Sequence, residues 1–140
     1  MCIRDSELGW AYNSKLEKEK GLEYFAKLTT ETPDSPLAGE ANFHVGSAAY
    51  QAGQYDDAIK SYTACLNSKT DDFVRERAAF KQAWAYFKQD RFRTALNAFT
   101  TQTESFPEGN LYGDGLFMVA ESQFRLQNHR EALALSLIHI

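Results

Sequence analysis

Basic residues are in short supply: 15 Lys plus Arg face 19 Asp plus Glu, for a formal charge of −4. A surface built mainly for nucleic acid needs clustered Lys and Arg against the phosphates, so that class is set aside. No apolar run approaches the ~20 residues that a membrane span requires. Cysteine occurs only twice, at Cys2 and Cys65, too few and too far apart for a disulfide scaffold. Glycine-rich phosphate loops, zinc-ligand spacings and nucleophile motifs are all missing. What is present is 44% hydrophobic, 14% aromatic and 24% charged, the balance of a folded chain rather than a disordered one. A length of 140 residues fits one ordinary domain or a short stack of small repeats.

The two ends share one origin. The first six residues (MCIRDS) and the last six (LSLIHI) are translations of one oligonucleotide read in opposite directions, and that string resembles a sequencing-library adapter. The expectation is that residues 1–6 and 135–140 are foreign and that Glu7 to Ala134 is an internal piece of a longer protein. Without them one cysteine (Cys65) and two histidines (His44 and His129) remain, and the charge of −4 survives because Arg4 and Asp5 leave together.

The remainder is periodic. Gly9, Gly46, Ala83 and Ala120 are spaced 37 apart, and so are Gly21, Ala58, Ala95 and Ala132. Phe25, Tyr62 and Phe99 keep the same step, as do Leu22, Ile59, Leu96 and Leu133, and again Phe43, Phe80 and Phe117. Such self-similarity marks a repeat architecture. Within a period the apolar residues step by three and four, as in Phe43, Gly46, Ala49 and Tyr50, which predicts amphipathic helices. Turns are expected within Lys15–Lys20 and at Gln51–Gln54, Lys88–Arg91 and Leu126–Asn128, with Pro33, Pro36 and Pro107 ending the second helices. Small residues let paired helices approach, Phe25, Tyr62 and Phe99 fill the space between hairpins, and stacking supplies the core.

These residues resemble the tetratricopeptide repeat. Leu8-Gly9, Tyr12, Gly21, Phe25 and Pro33 follow its pattern, as do Val45-Gly46, Tyr50, Gly53-Gln54-Tyr55, Ala58 and Tyr62, and then Ala83, Tyr86, Phe92, Ala95, Phe99 and Pro107. Ala120, Phe124 and Ala132 open a further copy. Ala83 and Ala120 depart from the usual Gly, Gln82 from Leu and Thr70 from Pro. The resemblance implies an all-α, right-handed superhelical solenoid of antiparallel helix pairs: partial repeat 7–36, repeats 37–70 and 71–107, and partial repeat 108–134. The 37-residue period is similar to that of bacterial cell-envelope members of the family, such as the Tol-Pal coordinator and outer-membrane assembly lipoproteins. That leans the location towards the periplasm or membrane-associated space, without membrane insertion by this segment.

Nothing in the chain reads as an active site. His44 and His129 lie more than two repeats apart, beyond convergence on a metal. Cys65 falls on the buried side of a second helix as a small core hydrophobe, with no base to activate it. Asp56-Asp57, Asp71-Asp72 and Glu17/Glu19 are expected at turns or helix starts, as caps and partners of the helix dipole. No enzyme, cofactor or metal is therefore expected.

In the tetratricopeptide fold the first helix of each pair lines the concave face. The resemblance thus implies an inner ladder of Phe43, Phe80 and Phe117 beside Tyr50, Phe87 and Phe124, with Trp10 and Trp84. His44, Lys81 and Met118 form one flanking row; Gln51, Lys88 and Arg125 form another. The family's clamp for a terminal carboxylate is not matched, because Phe and Trp/Ser occupy those rows. The expected function is a non-catalytic scaffold that binds a peptide or partner helix in this groove, with no nucleic-acid partner. The alternatives are a spacer or oligomerising segment of a longer array, or a regulatory arm of an enzyme whose catalytic domain lies elsewhere.

Overall fold

Ser35 and Pro36 show how the chain starts a helix. Ser35 is extended (φ −73°, ψ 141°) and its side-chain oxygen accepts the backbone N–H of Leu37 at 3.2 Å. Pro36 takes the first helical position, where a missing N–H costs nothing. The computed structural model describes the backbone of residues 3–138 and the side chains of residues 15–131 and 133. Among them are six helices and no strand: α1 (Ile3–Glu31), α2 (Pro36–Gln51), α3 (Tyr55–Leu66), α4 (Asp72–Lys88), α5 (Phe92–Ser105) and α6 (Tyr112–Ile138). Each helix packs on the next, and α2 also packs on α4. The result is an all-α helical-repeat solenoid.

The turn inside each central hairpin depends on one residue. Gly53 adopts φ +78° after α2, so that its N–H reaches the Tyr50 carbonyl at 3.0 Å and the Gln54 N–H reaches Ala49 at 2.9 Å. This pair of bonds closes the helix C-terminus on a left-handed residue. One period later Asp90 takes φ +59°, and Asp90 and Arg91 bond to Phe87 and Tyr86 at 3.0 Å each. Asp tolerates this region better than most residues with a side chain.

The corresponding residues in the outer repeats are Leu16 and Gln127. Neither favours positive φ, and both stand among strong helix formers. The turns expected at Lys15–Lys20 and Leu126–Asn128 are absent: α1 and α6 run through them as helices of 29 and 27 residues. Gln127 instead donates to Glu131 one turn on, at 3.1 Å. Glu17 and Glu19 consequently lie in mid-helix, not at a start. Asp71 does precede α4, but its side chain makes no capping bond. Asp56 sits in the first turn of α3 and accepts from Gln89 at 2.9 Å, tying the two central turns together.

The core follows the 37-residue register. Tyr62 and Phe99 are fully buried, each in its own cluster: Phe43, Ala58, Cys65 and Ala78 surround Tyr62, and Ala83, Ala95 and Met118 surround Phe99. Burying one such ring contributes about 1.5–3 kcal/mol. A Cβ on Gly46 would stand 2.9 Å from a Tyr62 ring carbon, so the α2–α3 crossing leaves no room for a side chain. Phe25, the third wedge in the series, is only half-buried and stacks on His44 at 4.8 Å. The family-pattern residues Leu8, Gly9, Trp10 and Tyr12, and the terminal stretches read as foreign, fall outside the described side chains.

Candidate partner-binding groove

One stripe on α4 organises the surface formed by α2, α4 and α6. Arg77, Lys81, Trp84 and Lys88 step by four, three and four, which keeps them on one helical face. On one side of this stripe, α2 and α4 enclose a depression of about 380 Å³ lined by Phe43, His44, Ser47, Tyr50, Arg77 and Lys81, with Tyr62 beneath. On the other side, α4 and α6 enclose about 660 Å³ lined by Phe80, Trp84, Phe87, Lys88, Phe117 and Arg125, among others.

Trp84 is the centre of the second depression. Its ring meets Phe87 at 5.3 Å, Phe99 at 6.2 Å and Phe80 at 6.5 Å, all edge-on. Phe80 also meets Phe99 at 5.7 Å. The groove wall is thereby continuous with the core, and edge-to-face pairs of this kind hold rings in fixed orientations. In the first depression Phe43 tilts against Tyr62 at 5.8 Å, and the Tyr62 hydroxyl donates to Ser47 at 3.2 Å. Burial raises the Tyr62 and Tyr50 phenols above their ordinary range, so both stay neutral and able to donate.

Cations sit on the rings. The Arg77 guanidinium lies 4.9 Å from the Phe43 centroid and 5.6 Å from that of Phe73. Lys81 lies 5.2 Å from Tyr50, Lys88 5.8 Å from Trp84 and Arg125 5.6 Å from Phe87. Arg125 also donates to Glu121 at 3.2 Å. Among the described residues, Arg77, Lys81 and Lys88 have no carboxylate within ion-pairing distance.

Twelve of the fourteen residues that the resemblance implied, Gln51 included, line these two depressions. They are not equivalent. Phe43, at 6% exposure, and Met118, at 3%, are core residues that form floor, not exposed rungs of a ladder, because the neighbouring helix covers them. Phe117 is 66% exposed and offers its ring to solvent. Phe124 is exposed as well but lies outside both depressions. Trp10 falls outside the described side chains. Arg77, Ser47, Asp114 and Glu121 line the groove without having been implied; the 77/81/84/88 spacing carries the signal for Arg77.

Among the described residues no cluster of three or more His, Cys, Asp or Glu is placed to hold a metal. Nor is any helix there long and apolar enough to cross a membrane. Cys65 is fully buried, and burial raises its thiol to about 11, opposite to the shift an activated nucleophile needs.

The tetratricopeptide repeat family model matches residues 7–71 and 80–136. The chain belongs to the tetratricopeptide repeat family. Repeats of this family generally serve as protein–protein interaction modules. A comparison with curated proteins gives no match.

Proposed function

We propose that this tetratricopeptide chain is a non-catalytic scaffold that binds a peptide or a partner helix along the α2/α4/α6 face. The observation that carries the reading is the pair of adjoining depressions along that face, where rings are packed rigidly at the base and exposed at the rim. Apolar grooves between helices are a recurrent receptor for extended or helical peptides. Contact with Trp84, Phe87 and Phe117 would contribute about 1.5–3 kcal/mol for each side chain fully buried, enough after ordering costs for a micromolar complex.

Peptides selected from a displayed random library test this. The affinity of each selected peptide is measured by fluorescence anisotropy on the native chain and on Phe117→Ser and Trp84→Ala. Phe117 is exposed enough for its loss to leave folding untouched. Each substitution is expected to weaken binding roughly tenfold, with the helical circular-dichroism signal retained. Selected peptides that bind both variants with unchanged Kd would refute the groove.

A further inference from the structure

Charge is unevenly distributed among the depressions of this molecule. The two groove depressions carry four cations, Arg77, Lys81, Lys88 and Arg125, against two carboxylates, Asp114 and Glu121. The depression on the opposite side, between α1, α2 and α3, has Glu19, Glu23 and Asp57 against Lys60. The one formed where the α5–α6 linker crosses α4 has Asp72, Glu76 and Glu108 and no cation. A fourth depression, between α4 and α5, holds the single cation Arg75 and no carboxylate. In a chain with a net charge of −4, the groove is thus the surface on which several cations gather in excess of carboxylates.

From this excess of cations in the groove we infer that its ligand is an acidic peptide segment, with Asp or Glu side chains alternating with apolar ones. The inference rests on the groove reading above and adds the partner's chemistry to it. Each of the four cations lies over a ring at 4.9–5.8 Å. A cation held on an aromatic face keeps its stem buried and its charge local, so less side-chain freedom is lost when a carboxylate arrives. Three of the four have no carboxylate partner of their own within the described residues. An incoming acidic side chain therefore meets donors that need not first break an internal pair. The apolar side chains of the same segment reach Trp84, Phe80 and Phe117 between the cations.

The binding mode recognises internal side chains rather than a chain terminus. Arg77, Lys81 and Lys88 are spread over three turns of α4, and Arg125 faces them from α6, which suits carboxylates distributed along a segment. The acidic remainder of the molecule repels a polyanion at long range, which favours a short acidic segment over nucleic acid.

The probes are a fluorescein-labelled, C-terminally amidated peptide alternating Glu with Leu and Phe, its Gln-for-Glu counterpart, a Lys-for-Glu counterpart and a labelled oligothymidine. The native chain is expected to bind the Glu peptide at least ~10-fold more tightly than the Gln peptide, with the difference shrinking as salt screens it. Lys81→Glu, at a half-buried position, and Lys88→Glu, at an exposed one, are each expected to remove most of that preference and leave the Gln peptide unaffected. Equal binding of Glu and Gln peptides overturns the acidic ligand but leaves the groove standing. Preference for the Lys peptide or the oligothymidine overturns it in favour of another partner class. Binding of none of the probes also overturns it, and the library selection then decides the groove separately.

Discussion

Replacing Gly46 by Ala isolates the contact on which hairpin packing depends. In an ordinary helix interior this change stabilises by about 0.5–1 kcal/mol, because Ala loses less backbone entropy on folding. Here the new Cβ would lie 2.9 and 3.0 Å from two ring carbons of Tyr62 and 3.2 Å from the Ser61 Cβ, where ordinary contact begins at 3.4 Å. The ring cannot step aside freely. It is fully buried, tilted against Phe43, and held by its bond to Ser47. Overpacking of such a site costs about 1–3 kcal/mol. The net expectation is a loss of about 0.5–2 kcal/mol, read as a lower urea midpoint with unchanged slope. Gly21 is the control: it too is helical, yet a Cβ there would meet nothing within 4 Å. Gly21→Ala should stabilise the chain by about 0.5–1 kcal/mol and so raise the midpoint. Ala83, one period on, shows that the fold admits a methyl group at this position when the helices are set for it, so the Gly46 penalty belongs in the lower half of its range. Two substitutions that shift the midpoint upward equally would refute the claim that Tyr62 limits the α2–α3 approach.

Gly109→Ala should cost about 1–3 kcal/mol, because its Cβ would run into the buried Glu76 carboxylate, and the penalty should vanish in a Glu76→Ala background. A thermodynamic cycle of the four chains checks this coupling, and additive effects would show that Gly109 is not spacing Glu76. Alkaline stability should fall early. The Cys65 thiol rises from an ordinary 9.0 to about 11 on burial, so its neutral form is favoured by folding. That contribution is complete below pH 9 and is lost between 9 and 11 at about 1.4 kcal/mol per pH unit. The raised Tyr62 and Tyr50 phenols act in the same direction at higher pH. Urea midpoints of the native chain and Cys65→Ala from pH 8 to 11 should converge as the advantage of the buried thiol disappears; parallel curves would exclude it.

How far the sequence revealed the structure varies with the physics involved. The central repeats were legible because each signal had a single cause. Tyr62 and Phe99 occupy one register and fill equivalent core sites, and Pro107 stops α5 two residues ahead of itself. The outer repeats keep the family pattern, but their expected inner turns are not formed, because the periodicity continues there while the turn chemistry has lapsed. Leu16 and Gln127 fall at the positions of Gly53 and Asp90, and their side chains disfavour the left-handed backbone that the turn demands. The groove was legible as a set of helix faces but not as degrees of exposure. Phe43, Phe80 and Phe117 are identical in register, yet they range from 6% exposed, through half-buried, to 66% exposed. That gradient depends on which neighbouring helix covers each ring, a property of the stack and not of the repeat.

The turn residue also has a topological consequence. At one position per period, a left-handed residue folds the chain back into a second layer, whereas a helix former leaves it as a straight rod of twice the length. A 27-residue helix extends about 40 Å, more than the ~30 Å width of a small domain, so each such residue decides whether its repeat adds thickness or reach. Gly53 and Asp90 fold the middle of this molecule into helical hairpins, while at Leu16 and Gln127 the helix simply continues.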